Sequence, residues 1–423
     1  MRKTCVLIMA LALAFTAAAN ASTSLEKQAA IDKGLAYLAA HQNADGSWSD
    51  NSSSAYNPAD TGAALLAFTE QKYKPLGWNG ANYDSVVTNA TNYLLSQAKT
   101  LPFAAAGNWW GFGAGSSGIQ WAAGGEDTYI TGLALPALSS LVYNPYGGAP
   151  ILSPSAIISS GNAVVNGQTY SQVIQKVVDA FTYYQSGPAT GNRYGGWRYF
   201  AGENDSDMST TQWPVIGYLF AKNVPGVTIP DGTVKTALQA WITVCQNPTT
   251  GGVDYQPGAG IVNDTHAGGF LLSNFFAGGG GDPSKALSWL NGDWLSSPSG
   301  TWFGNEGNPY AMWAVYKGLA EIYGTTGAGP ISNLHTQTTV LDSGAVWNWW
   351  EDYCQYLVGS QNGDGSWNGY AYWTGPLADA WYINILNATT SVTPPVPLPG
   401  TLGLLSTGLF GVLGAGWWRR RKA

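Results

Sequence analysis

The feature that most constrains this chain is an internal repeat. Lys33-Gly34, Tyr37-Leu38, Gln42 and Gly46-Ser47-Trp48 form one unit, and Tyr356-Leu357, Gln361 and Gly365-Ser366-Trp367 repeat its second half at identical spacing. Self-similar segments fold as repeated supersecondary units, each too small to bury its own apolar face. Looser copies lie between them. Tyr93-Leu94 with Gln97 leads after an insertion to Gly107-Asn108-Trp109; Phe181 and Tyr184-Gln185 lead to Gly195-Gly196-Trp197; Trp241 and Gln246 lead to Gly251-Gly252. A degenerate unit without the Gln runs from Trp289-Leu290 to Trp302.

Each unit reads as a helical hairpin. Ile31, Leu35 and Leu38 recur at helical spacing, as do Trp347, Trp350, Cys354 and Leu357, which predicts a first helix. The Gln falls near its C-terminus, where an amide reaches carbonyls without intrahelical partners, and Gly supplies the turn. A second helix follows, its start marked by Asp60-Thr61, Asp127-Thr128, Asp207, Asp264-Thr265 and Asp379. The Gln-to-Asp interval is 18 residues in three units, 22 in the third and 30 in the second. One architecture therefore recurs, with loops absorbing the variation.

The pattern Lys-Gly-x-x-Tyr-Leu-x-x-x-Gln-x-x-x-Gly-x-Trp at residues 33 to 48 resembles the QW repeat of squalene and oxidosqualene cyclases, shared more loosely with protein prenyltransferase β subunits. The likeness covers most of residues 25 to 390. It implies an all-α chain folded as an α/α toroid over 22–390, about six hairpins in a ring with second helices lining a central cavity. Such a ring gathers the five Asp residues at one mouth. They are read either as helix caps, which accept backbone N–H bonds and complement the helix dipole, or as ligand-binding carboxylates.

One unit carries more than a cap. Asp205-Ser206-Asp207-Met208-Ser209-Thr210 resembles the Asp-x-Asp-Asp-Thr motif of class II terpene cyclases. That likeness implies Asp207 as a general acid with Asp205 beside it, since close carboxyls raise one another's pKa. Met208 replaces the third acid. The zinc of prenyltransferases needs Asp, Cys and His, but the only histidines are His41, His266 and His335, and the Cys354 of Asp352-Tyr353-Cys354 sits within an apolar helical pattern. There is no Cys-Gly-Glu-Gln thioester, Gly-x-Ser-x-Gly elbow, His-Glu-x-x-His helix or phosphate loop. No cofactor or metal is predicted.

The two ends read as addresses. Arg2 and Lys3, an apolar run from Cys5 to Ala18 and Ala19-Asn20-Ala21 predict a signal peptide over 1–21. Residues 391–400 form a Pro-rich linker, and Thr401 to Trp418 is apolar and long enough to span a bilayer, followed by Arg419-Arg420-Arg421-Lys422 within 401–423. Val396-Pro397-Leu398-Pro399-Gly400, then an apolar helix, then a basic end resembles the PEP-CTERM sorting signal, with Leu398 where its usual form has Glu. The resemblance implies exosortase and the secretion machinery as partners, transient inner-membrane anchoring, and release to the surface or extracellular matrix of a Gram-negative-type bacterium. A permanent membrane anchor is the alternative. Once Cys5 is removed, Cys245 and Cys354 remain, read as separate buried thiols.

Charge removes other partners. Of 18 Lys and Arg, six lie at the extreme ends, leaving 12 in the body against 25 Asp and Glu. Such a body has no basic stripe for nucleic acid. The 20 Trp and 23 Tyr are the remaining signal. Trp109, Trp110, Trp197, Tyr199, Trp302 and Trp373 fall between helices, where rings suit a cavity that stacks on sugars or packs against an isoprenoid. The expectation is an exported protein that binds a polysaccharide or isoprenoid ligand in an aromatic cavity bordered by Asp60, Asp127, Asp264 and Asp379. A terpene cyclase and a carbohydrate-active enzyme are the alternatives.

Overall fold

The computed structural model describes residues 23–50, 53–104, 110–113, 115–122 and 124–391. The expectations for the signal peptide, the sorting motif, the apolar tail and Trp109 lie outside the described residues. Among the described residues the fold is all-α: α1 Ser24–Ala40, α2 Asn57–Tyr73, α3 Asp84–Gln97, α4 Asp127–Val142, α5 Tyr170–Tyr184, α6 Met208–Ala221, α7 Thr233–Cys245, α8 Asp264–Ala277, α9 Pro283–Asp293, α10 Pro309–Tyr323, α11 Trp349–Ser360 and α12 Gly375–Leu386. The insertion in the second unit adds an antiparallel ribbon of β1 Lys99–Pro102 and β2 Ser117–Gln120, with Lys99 opposite Gln120. None of the described helices is long and apolar enough to cross a membrane.

Burial divides the helices into two classes. Every residue of α6 is buried, and α4 is buried apart from Tyr129, as expected of helices that are apolar all round. Odd-numbered helices bury one stripe, such as Val173, Ile174, Val177, Val178 and Phe181 of α5. The even-numbered helices contact one another in cyclic order, α2 with α4, α4 with α6, α6 with α8, α8 with α10, α10 with α12, and α12 with α2. Neighbours meet at like positions along their lengths. A Cβ on Gly62 of α2 would lie 2.7 Å from the Leu133 carbonyl oxygen of α4, and one on Gly268 of α8 would lie 2.5 Å from the Ala314 backbone of α10. These glycines let parallel helices approach backbone to backbone, so their N-termini gather at one end.

The repeat residues connect the hairpins. Trp48 Nε1 donates to the Leu38 carbonyl at the end of α1, while its backbone N–H is held by Thr61 Oγ1 of α2. Trp197 and Trp367 repeat this clasp with Phe181 and Leu357. In the second unit the clasp belongs to Trp121, which donates to Leu94 at 2.7 Å. That corrects the sequence assignment of Gly107-Asn108-Trp109 to this position, because the insertion moves the motif past the β-ribbon.

The Gln has a longer reach than capping its own helix. Gln42 Nε2 donates to Gly46 of its own turn and to Val86 of α3, each at 3.0 Å; Gln185 joins Gly195 to Val234 of α7, and Gln246 joins Gly251 to Asp282, the cap of α9. Each therefore ties one hairpin to the next. In the second unit Gln97 does not do so, and Asn162 donates instead to Leu95, Ser96 and Ala98 at the end of α3.

The end of the described chain closes the C-terminal side of the even helices. Glu321 of α10 accepts from the backbone N–H and hydroxyl of Ser391 at 2.6 and 2.7 Å, and Asn223 donates to the Ser391 carbonyl. Ser391, placed by sequence at the start of the linker, is buried within the fold. Cys245 and Cys354 are buried and unpaired.

Candidate functional site

A cavity of about 770 Å³ opens at the N-terminal end of the even helices. Residues from their first two turns line it: Ala59 and Asp60 of α2, Tyr129, Ile130 and Leu133 of α4, Ser209 and Trp213 of α6, Thr265 and His266 of α8, Tyr310 of α10, and Leu377 and Trp381 of α12. Connecting loops add Asp50, Tyr56, Glu126, Tyr199, Tyr255, Trp302, Tyr372 and Trp373. Among the described lining residues none is Lys or Arg.

The wall is a stack of rings. Trp213 lies 6.1 Å from Tyr310 at 11° and 6.0 Å from Trp381 at 23°, and Tyr310 stacks on Trp373 at 4.5 Å. Trp302 meets Trp373 edge to face at 5.5 Å and is 47% exposed, so the stack runs out to solvent. Polar atoms are threaded between the rings. Tyr129 and Tyr310 hydroxyls sit 2.6 and 2.7 Å from Ser209 Oγ, and Tyr199 and Tyr255 hydroxyls are 2.8 Å apart.

Asp60 is the member of the Asp set that lines the cavity. It is buried in the first turn of α2, and its Oδ2 accepts the Asp50 N–H at 2.9 Å. Burial, and then the Asp50 charge, push its carboxyl well above the ordinary range. Burial, with Asp207 adding, raises Glu126 in the same direction. Such carboxyls retain protons more readily than ordinary surface acids.

The other acids serve the framework. Asp207 is the N-cap of α6, with Oδ1 accepting the Thr210 N–H at 2.6 Å and Oδ2 accepting Thr210 Oγ1 at 2.9 Å and Arg198 at 2.6 Å. Burial raises it to about 6 against the pull of Thr210 and Arg198. Its carboxylate is saturated with donors and is not part of the lining. Arg198 stacks on Tyr199 at 4.2 Å, so the pair stiffens the wall from behind. Asp205 is one-third exposed, 3.5 Å from Arg193 and 3.6 Å from Arg198.

Asp127 and Asp264 open α4 and α8 rather than preceding them, and Asp379 lies within α12, so the cap reading holds for Asp207 alone. Asp379 Oδ1 takes the place of the repeat Thr and accepts the Trp367 N–H at 2.7 Å. Neither Asp264 oxygen has a hydrogen-bond donor, and burial with the nearby Asp293 carboxylate raises it strongly. His266 Nδ1–H donates to the Ile261 carbonyl at 3.0 Å, and burial lowers the ring's pKa to about 4, leaving a neutral ring in the wall.

Of the rings singled out from sequence, Tyr199, Trp302 and Trp373 line the cavity, whereas Trp197 is fully buried in its clasp and Trp110 packs on the core. Sequence reasoning missed Tyr129, Trp213, Tyr255, Tyr310 and Trp381 as lining. A signal existed: the residue two beyond the Asp is Tyr129, Ser209, His266 and Trp381 in four of the units, and all four line the cavity.

No family model matches the chain, and no curated protein matches it. Among solved structures, a protein from Actinoplanes aligns at 12% identity over 86% of this chain and 99% of its own, with a TM-score of 0.35, a likeness too low to bear on fold or function.

Proposed function

We propose that this chain is an exported, exosortase-sorted surface or extracellular-matrix protein whose six hairpins form an α/α toroid of the squalene cyclase and prenyltransferase kind, and whose cavity binds a neutral glycan segment. The cyclic contacts from α2 to α12 and back support the toroid. The order of Pro element, apolar run and basic end supports sorting. The described chain ends at Ser391, on the side opposite the cavity mouth. That placement supports a mouth turned away from an anchored tail, toward the matrix rather than the bilayer.

The observation that carries the ligand assignment is the lining itself. Stacked indole and phenol faces suit the C–H faces of sugars, and the hydroxyls and carboxyls of Ser209, Tyr199, Asp60 and Asp50 suit their O–H groups. A diphosphate-bearing isoprenoid requires cationic partners, which the lining lacks. A terpene cyclase requires its acid to face the substrate, whereas Asp207 is held by Arg198 and Thr210.

A second reading, a carbohydrate-active enzyme, draws on the raised carboxyls of Asp60 and Glu126 beside Asp50. Incubating the purified chain with host polysaccharide, squalene and prenyl diphosphates separates these readings. Saturable glycan binding without turnover supports binding, cleavage lost in Asp60→Asn supports the enzyme, and cyclised product lost in Asp207→Asn contradicts both. Intact mass of protein from the native host tests sorting: a start near Ser22 and loss of the segment beyond about Pro397 are expected, and a retained tail contradicts it.

A further inference from the structure

We infer that Glu306, His335 and Asp352 form a site for a first-row divalent cation, Zn²⁺ or Mn²⁺, that ties the fifth hairpin to the sixth. This joint is the one where the repeat Gln is missing from the sequence. Glu306 lies in the turn between α9 and α10, His335 in the connection from Gly324 to Asn348, and Asp352 in the first turn of α11. The three residues thus bridge the elements that a Gln bridges elsewhere. The connection itself has no helix or strand across 25 residues, a length uncommon within a compact domain and usually tied to function.

The geometry suits an ion. One ligand atom from each residue lies within 4.8 Å of the other two. His335 Nδ1 is 3.1 Å from Asp352 Oδ2 and 3.6 Å from Glu306 Oε2. Donors bonded at about 2.0–2.2 Å to one cation stand roughly 3 to 3.6 Å apart. Asp352 is fully buried, and while Oδ2 accepts the Trp294 indole N–H at 2.7 Å and the His335 N–H at 3.1 Å, Oδ1 has no donor. A buried carboxylate oxygen without a partner is costly, and a cation among these groups offsets that cost.

The ion pairs recorded at Glu306 and Asp352 involve His335 and no Lys or Arg. Imidazole with two carboxylates selects zinc or manganese over calcium and magnesium. The Trp294 bond to Asp352 supplies the outer-shell support typical of such sites. Glu306 and His335 are half-buried, so an ion enters from solvent and water completes its shell.

The test uses tag-free full-length protein, stripped with chelator and titrated with Zn²⁺, Mn²⁺ and Ca²⁺ while bound metal, melting temperature and amide exchange are followed. About one equivalent of zinc or manganese, a raised melting temperature and slower exchange in α11 are expected. Glu306→Gln and His335→Gln each lower affinity by about tenfold or more, as losses around metal sites do, while His41→Gln binds as wild type. Circular dichroism confirms that the variants fold. Absence of stoichiometric metal in the wild type, or undiminished binding in both folded variants, overturns the proposal and leaves His335 Nδ1 as a hydrogen-bond partner of Asp352 alone.

Discussion

Gln361 Nε2 donates to the Ala30 carbonyl of α1 at 2.9 Å, joining residues 331 positions apart, and also to Gly365 of its own turn at 2.9 Å. Beside it, a Cβ on Gly365 would lie 2.4 Å from the Lys33 carbonyl oxygen, and its φ of +97° is open to glycine. The last hairpin thus meets the first through the same two residues that link hairpins elsewhere. Gln361→Ala strands two carbonyls and is expected to cost about 1–3 kcal/mol. Hydrogen exchange should quicken in both α1 and α11, whereas Gln42→Ala should quicken α3. Unchanged exchange in α1 would show that the contact does not secure closure.

The assignment of Trp121 to the second unit predicts that Trp121→Ala destabilises as much as Trp48→Ala or Trp367→Ala. Each indole is buried and clasps the end of an odd-numbered helix. Each loss is expected to be about 3–5 kcal/mol, measured by denaturant unfolding. A surface-like effect at Trp121 would return the motif to another residue.

Asp379 gives a pH signature. Burial raises its pKa from 3.8 to about 7, against the Trp367 N–H and with help from Asp364. Between those values the folded chain holds a proton that the unfolded chain has released. The stabilisation is full below pH 3.8, declines as pH rises, and is lost above about 7. Asp379→Asn should match the wild type near pH 4 and exceed its stability at pH 8 by about 1–2 kcal/mol. A difference that does not vary with pH would contradict the raised pKa.

Asp207 acts through α6 and Arg198. Asp207→Ala removes the cap and leaves a partly buried guanidinium short of its partner, an expected loss of about 2–4 kcal/mol. Glycan affinity of the folded variant should remain near wild type, because Asp207 does not line the cavity. A loss of affinity with stability intact would place Asp207 in the ligand site.

The hairpins were legible because Gln, Gly and Trp each meet a fixed backbone demand: a carbonyl pair, a positive φ, and a helix end in need of a donor. The second unit escaped because its insertion separates Trp121 from Gln97, and spacing alone pointed to Trp109. The site was half legible. Aromatic loop residues such as Trp302 and Trp373 stood out, but Trp213, Tyr310 and Trp381 did not, since a cavity-facing ring on a fully buried helix has the same sequence pattern as a packed one. The clustering of acids at helix starts was visible. Which acid faces the cavity depends on its place along the first turns: Asp60 is the fourth residue of α2, whereas Asp127 and Asp264 are the first of α4 and α8 and Asp379 is the fifth of α12.

Calorimetric titration of host surface polysaccharide into wild type and Trp373→Ala decides whether the aromatic cavity binds glycan. Trp373 stacks on Tyr310 at the mouth, in the connection between α11 and α12, so the fold should survive its removal. Saturable binding by the wild type is expected, weakening about tenfold or more in the variant, the loss of one or two stacked sugar contacts. Equal heats from both proteins, or no binding by the wild type, would contradict a glycan-binding cavity.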